Sequence, residues 1–178
     1  MPKPQDKHTK TNAMRVLDQH RIPYEAHFYS PERHSADEVA QILGVDPARV
    51  FKTLVVLPES GSGRPMLVLV PANDELNLKV LGTQPGVSEK RLRMATQREA
   101  ESLTGLLVGG ISPLALLQKG FRTFIDRSAL DHQTIYLSAG QRGINLSLAT
   151  ADLLRVIKAT PVEAARYTGG AASDEQPE

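Results

Sequence analysis

Apolar and polar residues follow two rhythms along this chain. Where apolar positions recur every three or four residues, helices are predicted. Residues 11–20 bring Ala13, Met14 and Leu17 to one side, and "SADEVAQILG" aligns Val39, Ile42 and Leu43. Ser35 with Glu38 reads as a capping box for that second helix and Gly44 as its terminator. Asp46 followed by Pro47 sets one short turn. Further helices are predicted around residues 76–81, over "TQREAESL" with Thr96 and Glu99 as a second capping box, and after a Thr150 cap, with Leu153, Leu154 and Ile157 inward.

The other rhythm is strict alternation, which predicts strands. "IPYEAHFY" puts Ile22, Tyr24, Ala26 and Phe28 on one face and Glu25, His27 and Tyr29 on the other. "VFKTLVVLP" and "MLVLV", joined by "ESGSGRP", read as an antiparallel pair. "KRLRM", "FRTFID", "TIYLSAG" and "INLSL" are the remaining strands. Helices and strands mix without a βαβ beat, so the prediction is an α+β single domain over residues 10–167, with a central mixed or largely antiparallel sheet and flanking helices. Residues 1–9 and 168–178, polar or small, are expected to be disordered tails.

Composition narrows the chemistry. The 178 residues suffice for one hydrophobic core. A net charge of +1 and 4% aromatics, with no tryptophan, argue against a broad basic surface or a row of stacking platforms, so any nucleic-acid contact must be local. There is no cysteine, which excludes disulfides, thiolate-bound zinc and an enzyme thiol nucleophile. No apolar run approaches the ~20 residues that span a bilayer, and the first residues lack the apolar segment of a secretory signal. A cytoplasmic protein without metal or cofactor is expected. The five histidines show no metal-ligand spacing, although His27 and His34 flank Tyr29 and would stand at the rim of a pocket there.

Three segments break the pattern of an ordinary core. Lys52 shares a strand face with Leu54 and Val56, where an ammonium group is costly unless it is paired, opens onto a cavity, or snorkels from a sheet edge. Periodicity leaves the pocket and the edge equally open. "VGGISP" sets Gly109 and Gly110 where backbone comes close to a ligand and freed N–H groups hold an oxyanion, or where a plain tight turn stands. "YLSAGQRGINLSL" reads as a hairpin with Ser138 at a strand end and Arg142 between Gly140 and Gly143, a position suited to a phosphate contact.

In order and spacing, "VFKTLVV", "LLVGGISPL", "FIDRSAL" and "TIYLSAGQRGINLSLATADL", with "IPYEAHFY" and "DEVAQILGV", resemble the YbaK/EbsC family of aminoacyl-tRNA deacylases, and within it the Cys-tRNA(Pro) deacylase branch. The similarity spans about residues 11–160. It implies removal of cysteine from mischarged tRNA(Pro), and also from tRNA(Cys), with the substrate thiol as internal nucleophile. It implies Lys52, Gly110 and Tyr29 as catalytic positions, the Gly110 N–H holding the ester carbonyl. Thr53, Gly109, Ser112, Ser138, Arg142 and Asn145 are the implied substrate contacts. Asn145 stands where many relatives carry an acidic residue. The implied partners are the acceptor end of a mischarged tRNA and prolyl-tRNA synthetase. Two alternatives stay open: another misacylated tRNA such as Ala-tRNA(Pro), cleaved by an activated water, and a non-catalytic module that binds aminoacyl-tRNA or a synthetase.

Overall fold

In the computed structural model, which describes residues 10–167 and 176–177, the strands divide between two larger sheets and one short ribbon. The first sheet is wholly antiparallel and runs β1 (Tyr24–Phe28), β8 (Ile144–Ala149), β7 (Thr134–Ser138). The second is mixed and runs β5 (Leu92–Met94), β2 (Phe51–Pro58), β3 (Met66–Pro71), β6 (Arg122–Asp126), β9 (Thr160–Val162). Its first three strands are antiparallel, while β6 and β9 add in parallel. β4 (Asp74–Leu76) and β10 (Ala165–Tyr167) form the ribbon. Among the described residues, five α-helices complete the α+β class: α1 (Asn12–Gln19), α2 (Ala36–Leu43), α3 (Leu78–Thr83), α4 (Gln97–Thr104) and α5 (Thr150–Ile157).

β2 lies between β3 and β5 and is buried on both faces, which explains its near-continuous apolar run. Leu54 and Val56 pack with Val68, Val70 and Phe124 on the side that carries Lys52. On the opposite side Phe51 joins Leu69, Ile125 and Leu137, and Val55 joins Leu67, Val108 and Ile111. A parallel bridge from Val50 to Tyr136 joins the two sheets just before β2 begins. Beside it the Arg49 guanidinium donates to Thr134 O at 3.2 Å. β5 pairs with β2 only from Val56 onward, so residues 51–55 border a notch between the sheets.

The predicted caps meet mixed outcomes. Thr96 and Glu99 form the full capping box of α4, and Arg93 grips the same carboxylate at 2.8 Å, holding it at a pKa of about 2. Ser35 accepts from Glu38 N–H, but the Glu38 carboxylate turns to His34. Thr150 is not the cap of α5. Its hydroxyl donates to His132 O at 2.6 Å, and Ala149 takes the capping position without a side-chain bond. The tails expected at 1–9 and 168–178 lie outside the described residues, apart from Gln176 and Pro177.

Candidate active site

The notch beside β2 closes into a cavity of about 60 Å³, lined by Tyr29, His34, Lys52, Thr53, Gly109, Ser138 and Asn145 among others. Lys52 is 7% exposed, so it is no snorkelling edge residue. Its ammonium group is 3.4 Å from Ala72 O, just past the end of β3. Burial pushes the Asp74 carboxyl above the usual range, Asp126 adds to the rise and the Lys52 charge opposes it. Val55 N–H and C=O face the β5 side, so strand alternation turns the Thr53 N–H and C=O toward the same edge, along the cavity.

The first sheet supplies the opposite wall. Tyr29 follows β1, and its N–H donates to Gly143 O at 2.9 Å. Gly143 has φ +87°, and a Cβ there would lie 3.0 Å from both Pro31 Cα and Tyr29 O, so only glycine lets the hairpin press against this segment. Burial pushes the Tyr29 phenol up, while the hydrogen-bonded Asn145 amide pulls the other way. The phenol is therefore a neutral donor at physiological pH. Asn145, on β8, pairs with Ser138 of β7 and is 5% exposed, and its Oδ1 has no partner among the described residues. A buried acceptor in that state calls for a ligand donor. The Ser138 hydroxyl accepts from Gly140 N–H at 3.2 Å, which fixes its direction.

The glycine loop departs from the expectation. Gly109 has φ +90° and lines the cavity. The Gly110 N–H is committed elsewhere, because it closes a turn onto Leu107 O at 2.8 Å. Gly110 is glycine for another reason. A Cβ there would stand 2.9 Å from Arg142 N and 3.1 Å from Gln141 C. Arg142 is a strut rather than a cavity group, since its Nε donates to Val108 O at 2.8 Å. From the other side Glu101 accepts from Val108 N–H at 3.1 Å, which lowers its own pKa. Ser112 is fully buried outside the cavity lining, and its hydroxyl has no partner among the described residues.

Several lining residues lie beyond the sequence-predicted set, and two of them bear on the argument. His34, placed at a rim by the sequence, is one of them, and the other is Gln176. The Gln176 carboxamide accepts from Val55 N–H at 2.7 Å and donates to Val55 O at 3.2 Å and to Ala95 O. It completes the ladder at Val55, whose C=O also accepts from Ala95 N–H at 3.0 Å. Gln176→Ala leaves Val55 N–H buried without a partner, and should lower unfolding free energy by about 1–3 kcal/mol in denaturant titration. No local signal announces this contact, which spans 121 positions of sequence.

The geometry can now be set beside known proteins. The family described as "Aminoacyl-tRNA editing domain" matches residues 30–156, which include Lys52, Thr53, Gly109, Ser138 and Asn145 of the cavity and leave Tyr29 and Gln176 outside. The chain belongs to that family, and its class is that of the aminoacyl-tRNA deacylases. Among its relatives is the Enterococcus faecalis protein EbsC, assigned as a Cys-tRNA(Pro)/Cys-tRNA(Cys) deacylase. It is 37% identical over 147 residues, covering 82% of this chain and 87% of that protein. A proline–tRNA ligase of Pediococcus pentosaceus is 39% identical over 83 residues, 47% of this chain and 14% of the ligase. Among solved structures, the hypothetical protein APE2540 superposes with a TM-score of 0.77 at 24% identity, over 87% of this chain and 99% of its own. A structure assigned as a trans-editing enzyme for prolyl-tRNA synthetase gives 0.71 at 22% identity, over 87% and 95%. At those identities the likeness is one of fold.

Proposed function

We propose that this chain removes cysteine from mischarged Cys-tRNA(Pro), and from Cys-tRNA(Cys), with the substrate's own thiol as nucleophile. The observation that carries the reading is the cavity itself. It is small and holds a cation, a neutral phenol and an amide oxygen without a partner among the described residues, in a chain without cysteine. The assignment of EbsC, 37% identical over most of both chains, supports the amino acid named.

In this mechanism the thiol sulfur attacks the ester carbonyl carbon, the bond to the terminal ribose oxygen breaks, and the thiol proton passes to that oxygen. The resulting thiolactone is then opened by water. The protein's part is orientation and charge stabilisation. Lys52 meets the developing negative charge. With the Gly110 N–H committed to its turn, the Thr53 N–H on the cavity edge is the main-chain donor for the oxyanion. Tyr29 donates from its neutral phenol, and Asn145 Oδ1 accepts from the substrate's α-amino group.

The test is amino-acid release from a panel of charged tRNAs. Cysteine should leave both tRNA(Pro) and tRNA(Cys), and Ala-tRNA(Pro) should turn over far more slowly. Preference for alanine would favour the activated-water alternative, and no turnover of any substrate would leave a binding module. Selection of the tRNA is assigned to a complex with prolyl-tRNA synthetase, because the net charge of +1 gives weak non-specific attraction. Retention of neither synthetase nor tRNA by the immobilised chain at low salt would contradict that partner.

A further inference from the structure

The cavity has an open rim and a buried end, and a residue from outside both sheets closes the buried end. Tyr29, Arg33 and His34 line the rim and are exposed or half-buried, whereas Gln176, in the same lining, is 3% exposed. Extending the β2–β5 register by one residue sets Val55 opposite Ala95. In an antiparallel ladder such a pair exchanges two N–H···O bonds. Ala95 N–H makes one of them, to Val55 O at 3.0 Å. The Gln176 carboxamide stands in place of the other: its Oε1 accepts from Val55 N–H at 2.7 Å, and its Nε2 donates to Ala95 O and, at 3.2 Å, to Val55 O. The amide is a wedge between the strands with both of its N–H bonds spent. Pro177 O, accepting from Gln97 N–H at 2.8 Å, ties the next residue to the start of α4. The path of β5 does not depend on this wedge. Val55 and Ala95 are fully buried in one cluster with Ala100 and Val108, and the Glu99 carboxylate holds both Arg93 and Thr96 N–H on either side of Ala95.

We propose that Gln176 is the floor of the aminoacyl pocket and sets the upper size limit on the amino-acid side chain. A tRNA is far too large to pass the rim, so only the aminoacyl group reaches the buried end. With its N–H bonds committed to main-chain oxygens, the carboxamide acts there as a wall and not as a donor to the substrate. It leaves room for the CH2SH group of cysteine and excludes thiol amino acids that carry extra methyl groups on Cβ. The floor lies beyond residue 156, where the family match ends, so the size limit is set from outside the matched domain. The proposal rests on the reading of the Lys52 cavity as the deacylation site.

The probe is the tRNA(Pro) ester of β,β-dimethylcysteine, which keeps the thiol and adds two methyl groups. Its release is measured beside that of cysteine for the full chain, Gln176→Ala and Gln176→Met. Dividing the dimethylcysteine rate by the cysteine rate cancels any loss of folded protein, and comparing that quotient between variants cancels the intrinsic difference between the esters. In Gln176→Ala the quotient should rise at least about tenfold, the scale on which an apolar pocket senses one or two methyl groups. Methionine keeps a side chain of similar length and packs into irregular gaps, but it makes none of the three hydrogen bonds. The quotient of Gln176→Met should therefore stay near that of the parent chain. An unchanged quotient in Gln176→Ala overturns the proposal. So does an equal rise in Gln176→Met, which would trace the effect to the lost hydrogen bonds and not to the lost wall. Absence of cysteine release by the full chain would instead overturn the reading of the cavity on which the proposal rests.

Discussion

Lys52→Ala is expected to fold and to lose deacylation, with kcat/KM falling about 10²-fold or more, the scale of removing one preorganised oxyanion donor. The strand does not depend on the ammonium group. Leu54, Val55 and Val56 keep β2 anchored on both faces, and its ladder to β3 is main chain. The loss does leave Asp74 without an opposing charge. Its carboxyl, already pushed up by burial and Asp126, rises further and protonates more readily. The sign is that of a raised folded-state pKa. The Asp74 contribution to stability is full below its unfolded value of 3.8 and is lost as pH rises through the folded value, so the variant should lose more stability on going from acid to neutral pH than the parent. Melting temperatures at two pH values, beside amino-acid release from Cys-tRNA(Pro), check both parts. Lys52→Met, which keeps the stem, should be equally inactive.

Gly110→Ala has the next largest expected effect, although this residue does not line the cavity. Its added Cβ meets main-chain atoms of Gln141 and Arg142 at 2.9–3.2 Å, and backbone cannot yield as a flexible side chain does. The loop must shift, which pulls Val108 from between Glu101 and Arg142 and carries Gly109 off the cavity wall. A loss of about 1–3 kcal/mol in unfolding free energy is expected for such overpacking, together with a fall in kcat/KM of about 10²-fold from a misplaced wall. Paired denaturant titration and single-turnover assays measure the two. Stability lost with turnover intact would show that the loop only supports the fold.

Much of this site was legible because its parts are local. The strand around Lys52, the paired glycines and the hairpin between Ser138 and Asn145 are each short patterns with their own turn chemistry. The cavity gathers Lys52, Thr53, Gly109, Ser138 and Asn145 from them, and Tyr29 from the end of the alternating run of β1. What stayed hidden depends on distant partners. Nothing near Gly110 indicates that its N–H is taken by Leu107, or that Arg142 reaches back 34 positions to Val108. Gln176 is a polar residue in a polar stretch until Val55 and Ala95 claim its amide. The fold divides in the same way. Hairpins such as β2–β3 follow from a turn between alternating runs, but the parallel addition of β6 to β3 is set by the packing of Phe124 and Ile125 against both faces of the core. Thr150 was misplaced as a cap because its hydroxyl had a better acceptor, His132 O, 18 residues away.

The central claim is that the cavity around Lys52 cleaves the ester with the substrate's thiol. Initial rates on Cys-tRNA(Pro) and Ser-tRNA(Pro) test it most directly, because the two differ only in sulfur against oxygen. The account predicts rapid release of cysteine and release of serine slower by at least about tenfold, since a hydroxyl is by far the weaker nucleophile at neutral pH. Equal rates for the two substrates would contradict it.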